Sequence, residues 1–212
     1  NILMKIYSFI HIFFSPKKVL EENTKKYDLL LPVIVIGLCS AIIAVLSVLI
    51  LPNISTEGEL HYLKTITLIF ALILGVISPF LGIVITSLIN YILLAVVDSY
   101  VEFRKLMIIG FYAYMPVLID SLLKLIVSIN IGKIFPYSPT SIAILSSNHN
   151  SLFSIVMNSF SFCGIWSLFI YALGVFLVVK ESNYNKRKQA VIIIVCTNII
   201  FTLLISMLFS YS

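Results

Sequence analysis

Five long apolar runs, separated by short polar segments, dominate the hydrophobicity pattern of the chain. They lie near residues 29–51, 66–97, 106–129, 154–179 and 190–210. A run of about 20 residues with few charges is typical of a transmembrane helix, because only a helix satisfies its own backbone groups in lipid. The pattern therefore predicts an all-α, polytopic membrane helical bundle, with a five-span transmembrane domain over residues 29–212.

The segment before the first run, residues 1–28, has a different periodicity. Leu3, Ile6, Ile10 and Phe13 recur at steps of three and four residues, with polar residues between them. This spacing predicts a short amphipathic helix that lies in the cytoplasmic headgroup layer and ends at Pro16. The lysines that follow favour contact with anionic membrane lipid: Lys17, Lys18, Lys25 and Lys26.

The second run is too long for a simple span. No charge interrupts it between Thr65 and Val97, and a helix of that length measures about 50 Å against a hydrocarbon core of about 30 Å. Either one helix is tilted or kinked at Pro79, or two spans form a hairpin. Six spans would place the basic cluster 186–188 opposite the N-terminal lysines, against the positive-inside bias. We therefore predict five spans in the cell membrane, with the N-terminus cytoplasmic and the C-terminus outside.

Composition excludes several classes of function. The chain is 60% hydrophobic and only 11% charged, which no ordinary soluble domain matches. Its net charge of +5 comes from short basic groups beside the spans, so nucleic acid is not an expected partner. The excess of Lys over Arg, with abundant Ile, Asn and Tyr, suggests an AT-rich bacterial genome.

Candidate catalytic and metal-binding residues are scattered. The chain contains Cys39, Cys163, Cys196, His11, His61 and His149. Their spacing indicates neither a disulfide framework nor a metal site. The catalytic and phosphate-binding patterns H-E-x-x-H, G-x-S-x-G, G-x-x-x-x-G-K and G-x-G-x-x-G are not present. We therefore expect no enzymatic activity, no metal and no cofactor.

Two of the runs carry rows of small or polar residues at every fourth position. The rows are Ser78, Gly82, Thr86 and Asn90 in the second run, and Asn198, Thr202, Ser206 and Ser210 in the last. Such rows let helices approach closely and hydrogen-bond in lipid. We favour this packing interpretation, and the alternative is a polar pathway through the bundle.

Asp120 and Lys124 are the most conspicuous charges within a run. They lie four residues apart in the third run and so share a helix face. An isolated charge deep in a bilayer is costly, and the Asp–Lys order favours an intramembrane ion pair. We expect this pair to be structural, and the alternative is a role in binding a ligand or a proton.

Four segments together resemble the Yip (Ypt-interacting protein) family of five-span membrane proteins. They are IFFSPKKVLEE at 12–22, FRKLMIIGFYAYMPVLI at 103–119, IWSLFIYALGV at 165–175 and NKRKQAVIIIV at 185–195. The resemblance covers almost the whole chain, and it implies a cytosolic N-terminus and no known enzymatic activity. The motif positions that it implies in the third span are Gly110, Tyr112 and Pro116. Pro116 would free a backbone carbonyl near Tyr112.

The resemblance also implies a role. Bacterial relatives look like accessory proteins, some of them associated with ABC-type exporters, whereas eukaryotic relatives are linked to Rab-type GTPases. The Asp-Leu-Tyr-Gly-Pro motif of eukaryotic members is not present in this sequence. We therefore expect a non-enzymatic adaptor for other membrane proteins, with membrane lipid and a second copy of the chain as further partners. The alternatives are a small transporter, a lipid- or ion-binding bundle that uses Asp120, Lys124 and Asn90, or an immunity protein against membrane-active peptides.

Overall fold

The described part of this computed structural model comprises residues 10–26, 29–50, 59–145, 156–158, 160–179 and 184–210, without the side chains of 59–61, 145 and 205–210. Its longer helices are α1 Pro16–Lys26, α2 Leu30–Ile50, α3 Glu59–Val96, α4 Phe103–Ile131, α5 Phe162–Val178 and α6 Tyr184–Ser210. A 3-10 turn covers Ile142–Leu145. Within these ranges the one β element is an isolated bridge between Ser141 and Ser161.

The all-α membrane fold is confirmed. Helices α2, α3, α4 and α6 are long and apolar enough to cross a membrane, and α5 is a shorter apolar helix of 17 residues. Its length is at the lower limit for a span. The prediction that the fourth span begins near residue 154 is wrong, because α5 begins at Phe162. Ser161 caps the helix there, since its side chain accepts a hydrogen bond of 3.0 Å from the Gly164 amide.

The long second run forms one helix and not a hairpin. Helix α3 is continuous over 38 residues and contains Pro79 in its interior. At 1.5 Å per residue it is about 57 Å long, so it extends beyond a hydrocarbon core of about 30 Å. It begins at Glu59, seven residues before the predicted start of the span.

Residues 10 and 11 are helical, and a turn over 12–14 ends that helix before Pro16, close to the predicted end. Pro16 is also the first residue of the next helix, α1. Proline suits the first turn, where a backbone N–H has no helical partner. Helix α1 packs against α4 and α5 and buries Val19, Leu20 and Thr24, so its apolar face rests on protein. The predicted periodicity through Leu3 and Ile6 lies outside the described residues.

Helix α4 is the centre of the bundle. It packs against α1, α2, α3 and α5, and 56% of the residues in its apolar 18-residue stretch are buried. The corresponding share is 17% in α2, 17% in α3 and 11% in α6. The tightest contact of α4 is with α5, where a methyl group added at Gly174 would lie 2.5 Å from Ile109 Cγ2. We call this contact the α4–α5 seam.

The opposite side of the bundle is less closed. Helix α6 packs mainly on α5 and meets α3 over a shorter stretch. A groove therefore opens between α3 and α6, with α4 and α5 behind it. We call this groove the α3–α6 cleft.

Candidate functional site

The loop after α4 folds back over the ends of α4 and α5. Gly132 ends α4 in the left-handed conformation, with a φ of 70°, which glycine adopts without strain. The Phe162 amide then donates to the Thr140 carbonyl at 3.1 Å, and the Ser141 hydroxyl donates to the Met157 carbonyl at 2.7 Å. We call residues 132–145, 156–158, 160 and 161 the cap.

Asp120 is bound into this cap. One oxygen of its carboxylate, Oδ1, accepts hydrogen bonds from the Ser138 hydroxyl at 2.7 Å and the Thr140 hydroxyl at 2.6 Å. The Ser138 amide in turn donates to Asn158 Oδ1 at 2.8 Å. A carboxylate with two hydroxyl donors is well satisfied, so Asp120 joins α4 to the cap.

Lys124 takes a different partner. Its ammonium donates to the Pro136 carbonyl at 3.3 Å. Between the described side chains of Asp120 and Lys124 there is no nitrogen–oxygen contact within 4 Å, although Asp120 still acts on Lys124 electrostatically. The predicted direct ion pair is therefore not formed, because the cap supplies closer partners to both groups. Sequence analysis did not identify Ser138 and Thr140 as partners of Asp120, because they lie 18 and 20 positions after it in the chain.

The three motif positions of the third span all face the inside of the bundle. Tyr112 is 2% exposed, and Gly110 and Pro116 are buried. A methyl group at Gly110 would lie 2.9 Å from Ile83 Cγ2 and 3.4 Å from Ser87 Oγ, so α3 and α4 approach closely there. That Pro116 frees a carbonyl near Tyr112 stays a prediction.

The predicted row on α3 lies along the α3–α6 cleft. Ser78, Gly82 and Thr86 line this cavity of about 570 Å³, and Asn198 and Thr202 of α6 line its other side. A methyl group at Gly82 would meet nothing within 4 Å, so at this position the packing interpretation does not apply. Three positions of the row therefore border open space, whereas the fourth, Asn90, is buried and hydrogen-bonded across the contact with α6, as the packing interpretation predicts.

A cluster of uncharged polar groups lies at one end of the cleft. Asn90 is 1% exposed and its Oδ1 accepts a hydrogen bond of 3.2 Å from Asn198 Nδ2. The Ser87 hydroxyl, the Asn90 amide nitrogen and the Tyr171 hydroxyl are fully enclosed beside one another, where small side-chain rotations let them hydrogen-bond to each other. We call Ser87, Asn90, Tyr171 and Asn198 the polar floor.

Sequence reasoning placed Asn90 and Asn198 in rows but missed Ser87 and Tyr171. Ser87 lies one residue beyond Thr86, off the predicted row, and a single Tyr in an apolar run carries no signal of its own. Gly110 was a clue, because a glycine in α4 gives the Ser87 side chain space. The hydrogen bond between Asn198 and Asn90 joins α6 to α3 at this end of the cleft.

The helices and the cleft define a multi-pass helical membrane protein. The family model for the Yip1 domain matches residues 10–209. The chain therefore belongs to the Yip family, which confirms the family that its four segments resemble. No curated protein and no solved structure matches the chain.

Proposed function

We propose that this Yip-family protein is a non-enzymatic accessory factor that binds other membrane proteins side by side in the bilayer. The partner class that we expect is an ABC exporter, which the family resemblance suggests. A second copy of the chain is the other candidate partner.

The observation that carries this proposal is the unequal burial of the spans. More than half of the apolar stretch of α4 is buried. In α2, α3 and α6, more than four fifths of the residues in the corresponding 18-residue stretch are not buried. Their outer faces are apolar, with Leu38 61%, Ile73 45% and Ile192 50% exposed. Lipid covers such faces in an isolated bundle, and spans of a partner would cover them in a complex.

We further propose that the protein lies in the cell membrane with its N-terminus in the cytoplasm. Arg104 and Lys105 begin α4, and Lys186 and Lys188 lie in the first turns of α6. In a five-span bundle α4 is the third span and α6 the fifth, so both begin on the same side of the membrane as the N-terminus. Basic residues favour the cytoplasmic side. A cysteine at position 188 should resist an impermeant maleimide in intact cells, and a cysteine at Lys133 should react. The reverse labelling would contradict this orientation.

Affinity purification from the native host in a mild detergent, followed by mass spectrometry, tests the proposed role. We expect stoichiometric recovery of a membrane complex with the tagged protein. Leu38→Trp, Ile73→Trp and Ile192→Trp place a bulky ring on one exposed helix face each. One of them should reduce recovery of the partner without changing the yield of the tagged protein.

Matched controls are the substitutions Leu38→Met, Ile73→Met and Ile192→Met, which keep an apolar side chain of similar volume. They should leave recovery of the partner unchanged. Recovery of the wild-type protein alone would overturn the proposed role. Full recovery with all three Trp variants would exclude these faces as the contact.

A lipid- or ion-binding bundle that uses Asp120 and Lys124 is the second candidate. Both groups already have partners in the cap, which favours a structural role for them. The observation that favours a bound ligand is the α3–α6 cleft, at a different place in the bundle.

A further inference from the structure

The segment of residues 10–18, which ends in the first turn of α1, rests on the middle of α4. Ile12 is fully buried in the core, and Phe13 lines a cavity of about 340 Å³ together with Pro116. Pro116 lies 11 residues after Lys105, so this cavity is about 16 Å along α4 from its basic start. That distance is about half of a hydrocarbon core of about 30 Å. The segment therefore reaches the depth of the acyl chains.

Two side chains of this segment point away from the bundle. Ile10 is 59% exposed and Phe14 is 79% exposed, whereas Ile12 between them is 0% exposed. Because Ile12 fixes the segment on the core, Ile10 and Phe14 are held facing outwards. Apolar side chains that face outwards at this depth contact acyl chains.

Two lysines follow Phe14 within four residues. Lys17 and Lys18 lie in the first turn of α1 and are exposed. Among the described residues, no acidic oxygen lies within 4 Å of either ammonium group. Helix α1 contains four lysines and two glutamates, so it keeps a net charge of +2. A lysine side chain is long enough to extend towards the headgroups while Phe14 stays among the acyl chains.

A phospholipid matches both parts of this surface. It carries acyl chains next to a negatively charged phosphate, as Phe14 lies next to the lysines. A soluble acidic peptide could meet the lysines, but it could not reach an apolar side chain at acyl-chain depth without losing the hydration of its backbone. Basic residues beside an apolar anchor are typical of proteins that bind anionic lipid.

We infer that residues 10–18 bind an anionic phospholipid in the leaflet that contains α1. Ile10 and Phe14 contact its acyl chains, and Lys17 and Lys18 bind its phosphate. The inference goes beyond the proposed accessory role and does not depend on it.

The second lysine pair of α1 provides a comparison within the same helix. Lys25 and Lys26 are exposed and carry the same charge, but they lie eight residues beyond the first pair. The apolar residues of α1, Val19 and Leu20, are buried, so α1 offers no exposed apolar side chain beside the second pair. The first pair should therefore bind the lipid more tightly, whereas the sequence pattern treated the four lysines alike.

The test uses the full-length protein in a mild detergent and two probes, dioleoyl phosphatidylglycerol and dioleoyl phosphatidylcholine. Their acyl chains are identical, so a difference in affinity reports the charge of the headgroup. Native mass spectrometry of a lipid titration should show a one-to-one complex with phosphatidylglycerol at a concentration about tenfold lower than with phosphatidylcholine. Soluble glycerol phosphate in excess should not displace the lipid, because it lacks the acyl chains.

Two double variants test the lysines. Lys17→Gln with Lys18→Gln should remove most of the preference for phosphatidylglycerol and leave the binding of phosphatidylcholine unchanged. Lys25→Gln with Lys26→Gln removes the same charge from the other end of α1, and this matched control should keep the preference.

A single variant tests the apolar contact. Phe14→Ala should weaken the binding of both lipids several-fold, because it removes contact with the acyl chains. Tyr62→Ala is the matched control, because Tyr62 is an aromatic residue of similar exposure, 75%, in the first turn of α3. It should bind both lipids like the wild type.

Several results would overturn the inference. They are equal affinity of the wild type for the two lipids, the same loss of preference in both lysine double variants, or full affinity in a folded Phe14→Ala protein. Displacement by glycerol phosphate would assign the lysines to a soluble anion. A photoreactive amino acid at position 14 that cross-links to another protein and not to lipid would assign the surface to a partner. The comparison of the two lipids needs no variant, so a folding defect cannot obscure it.

Discussion

The α4–α5 seam and the α3–α6 cleft are both built from apolar helices with a glycine at their surface, yet one is closed and the other open. At Gly174 in the seam, a methyl group would lie 2.5 Å from Ile109, whereas at Gly82 in the cleft it would meet nothing within 4 Å. A glycine in a span therefore does not by itself indicate helix packing. The facing helix determines whether the space is filled.

The polar groups of the two regions differ in the same way. At the end of the seam, the Asp120 carboxylate is satisfied by two hydroxyl groups of the cap. At the end of the cleft, uncharged groups of Ser87, Asn90 and Tyr171 are enclosed beside one another. The charged residue is therefore held by the cap, whereas the uncharged groups lie within the contact between the helices. Four predictions test this contrast, from the largest expected effect to the smallest.

Gly174→Leu should have the largest effect. The new side chain would clash with Ile109, which is β-branched and fully buried. Overpacking of this kind costs about 1–3 kcal/mol and occasionally more, and here we expect a loss of about 3 kcal/mol. The measurement is the yield of monodisperse protein by gel filtration in a mild detergent. Gly82→Leu is the control and should give the wild-type yield, so equal losses would remove the contrast between seam and cleft.

Asp120→Ala should destabilise the protein next most strongly. It leaves the Ser138 and Thr140 hydroxyls without their shared acceptor, at a cost of about 1–3 kcal/mol. We expect the lower part of that range because Asp120 is half-buried. Thermal unfolding followed by circular dichroism measures the loss.

Two further substitutions control the Asp120 prediction. Asp120→Asn keeps an oxygen acceptor and should lose less stability, and Glu22→Ala removes an exposed carboxylate and should lose almost none. An unchanged melting temperature in Asp120→Ala would contradict the structural role and would favour a ligand or proton role for Asp120.

Ser87→Ala should leave the stability unchanged or raise it by up to about 1 kcal/mol. The hydroxyl that it removes lies enclosed beside Tyr171 and Asn90 without well-aligned hydrogen-bond geometry, so little hydrogen-bond energy is lost. Ser128→Ala is the matched comparison. The Ser128 hydroxyl accepts from the Phe135 amide at 2.9 Å and donates to the Lys124 carbonyl at 2.8 Å. Its loss should cost about 1 kcal/mol. The same melting temperature in Ser87→Ala and Ser128→Ala would contradict the difference in hydrogen bonding between the two hydroxyls.

Gly82→Ala should have the smallest effect, within about 0.5 kcal/mol of the wild type. Alanine favours a helix over glycine by up to about 1 kcal/mol in water, and the cleft offers space for the methyl group. Gly110→Ala is its counterpart on α4, where the methyl group would lie 2.9 Å from Ile83. That variant should melt at a lower temperature. A stability loss in Gly82→Ala would mean that a neighbouring atom lies close enough to Gly82 to clash with the methyl group.

Much of the fold could be predicted from the pattern of apolar residues. The all-α membrane class follows from the length of the apolar runs. The single long helix α3 follows from the placement of the charges, which favoured five spans over six. The start of α5 could not be predicted, because Met157 and Ser161 bond to the loop after α4 and belong to the cap instead of continuing the helix. Pro16 follows the end of one helix and begins the next, and the sequence pattern indicated only the first of these two roles.

The sequence by itself determined which segments are helices and that the protein spans a membrane. The physical reason is local: in lipid each segment must satisfy its own backbone, so its composition specifies its structure. Only the tertiary structure decided that Asp120 binds the cap and not Lys124, and that Gly174 closes a seam whereas Gly82 borders a cleft. These outcomes depend on side chains distant along the chain, whose positions no local pattern contains.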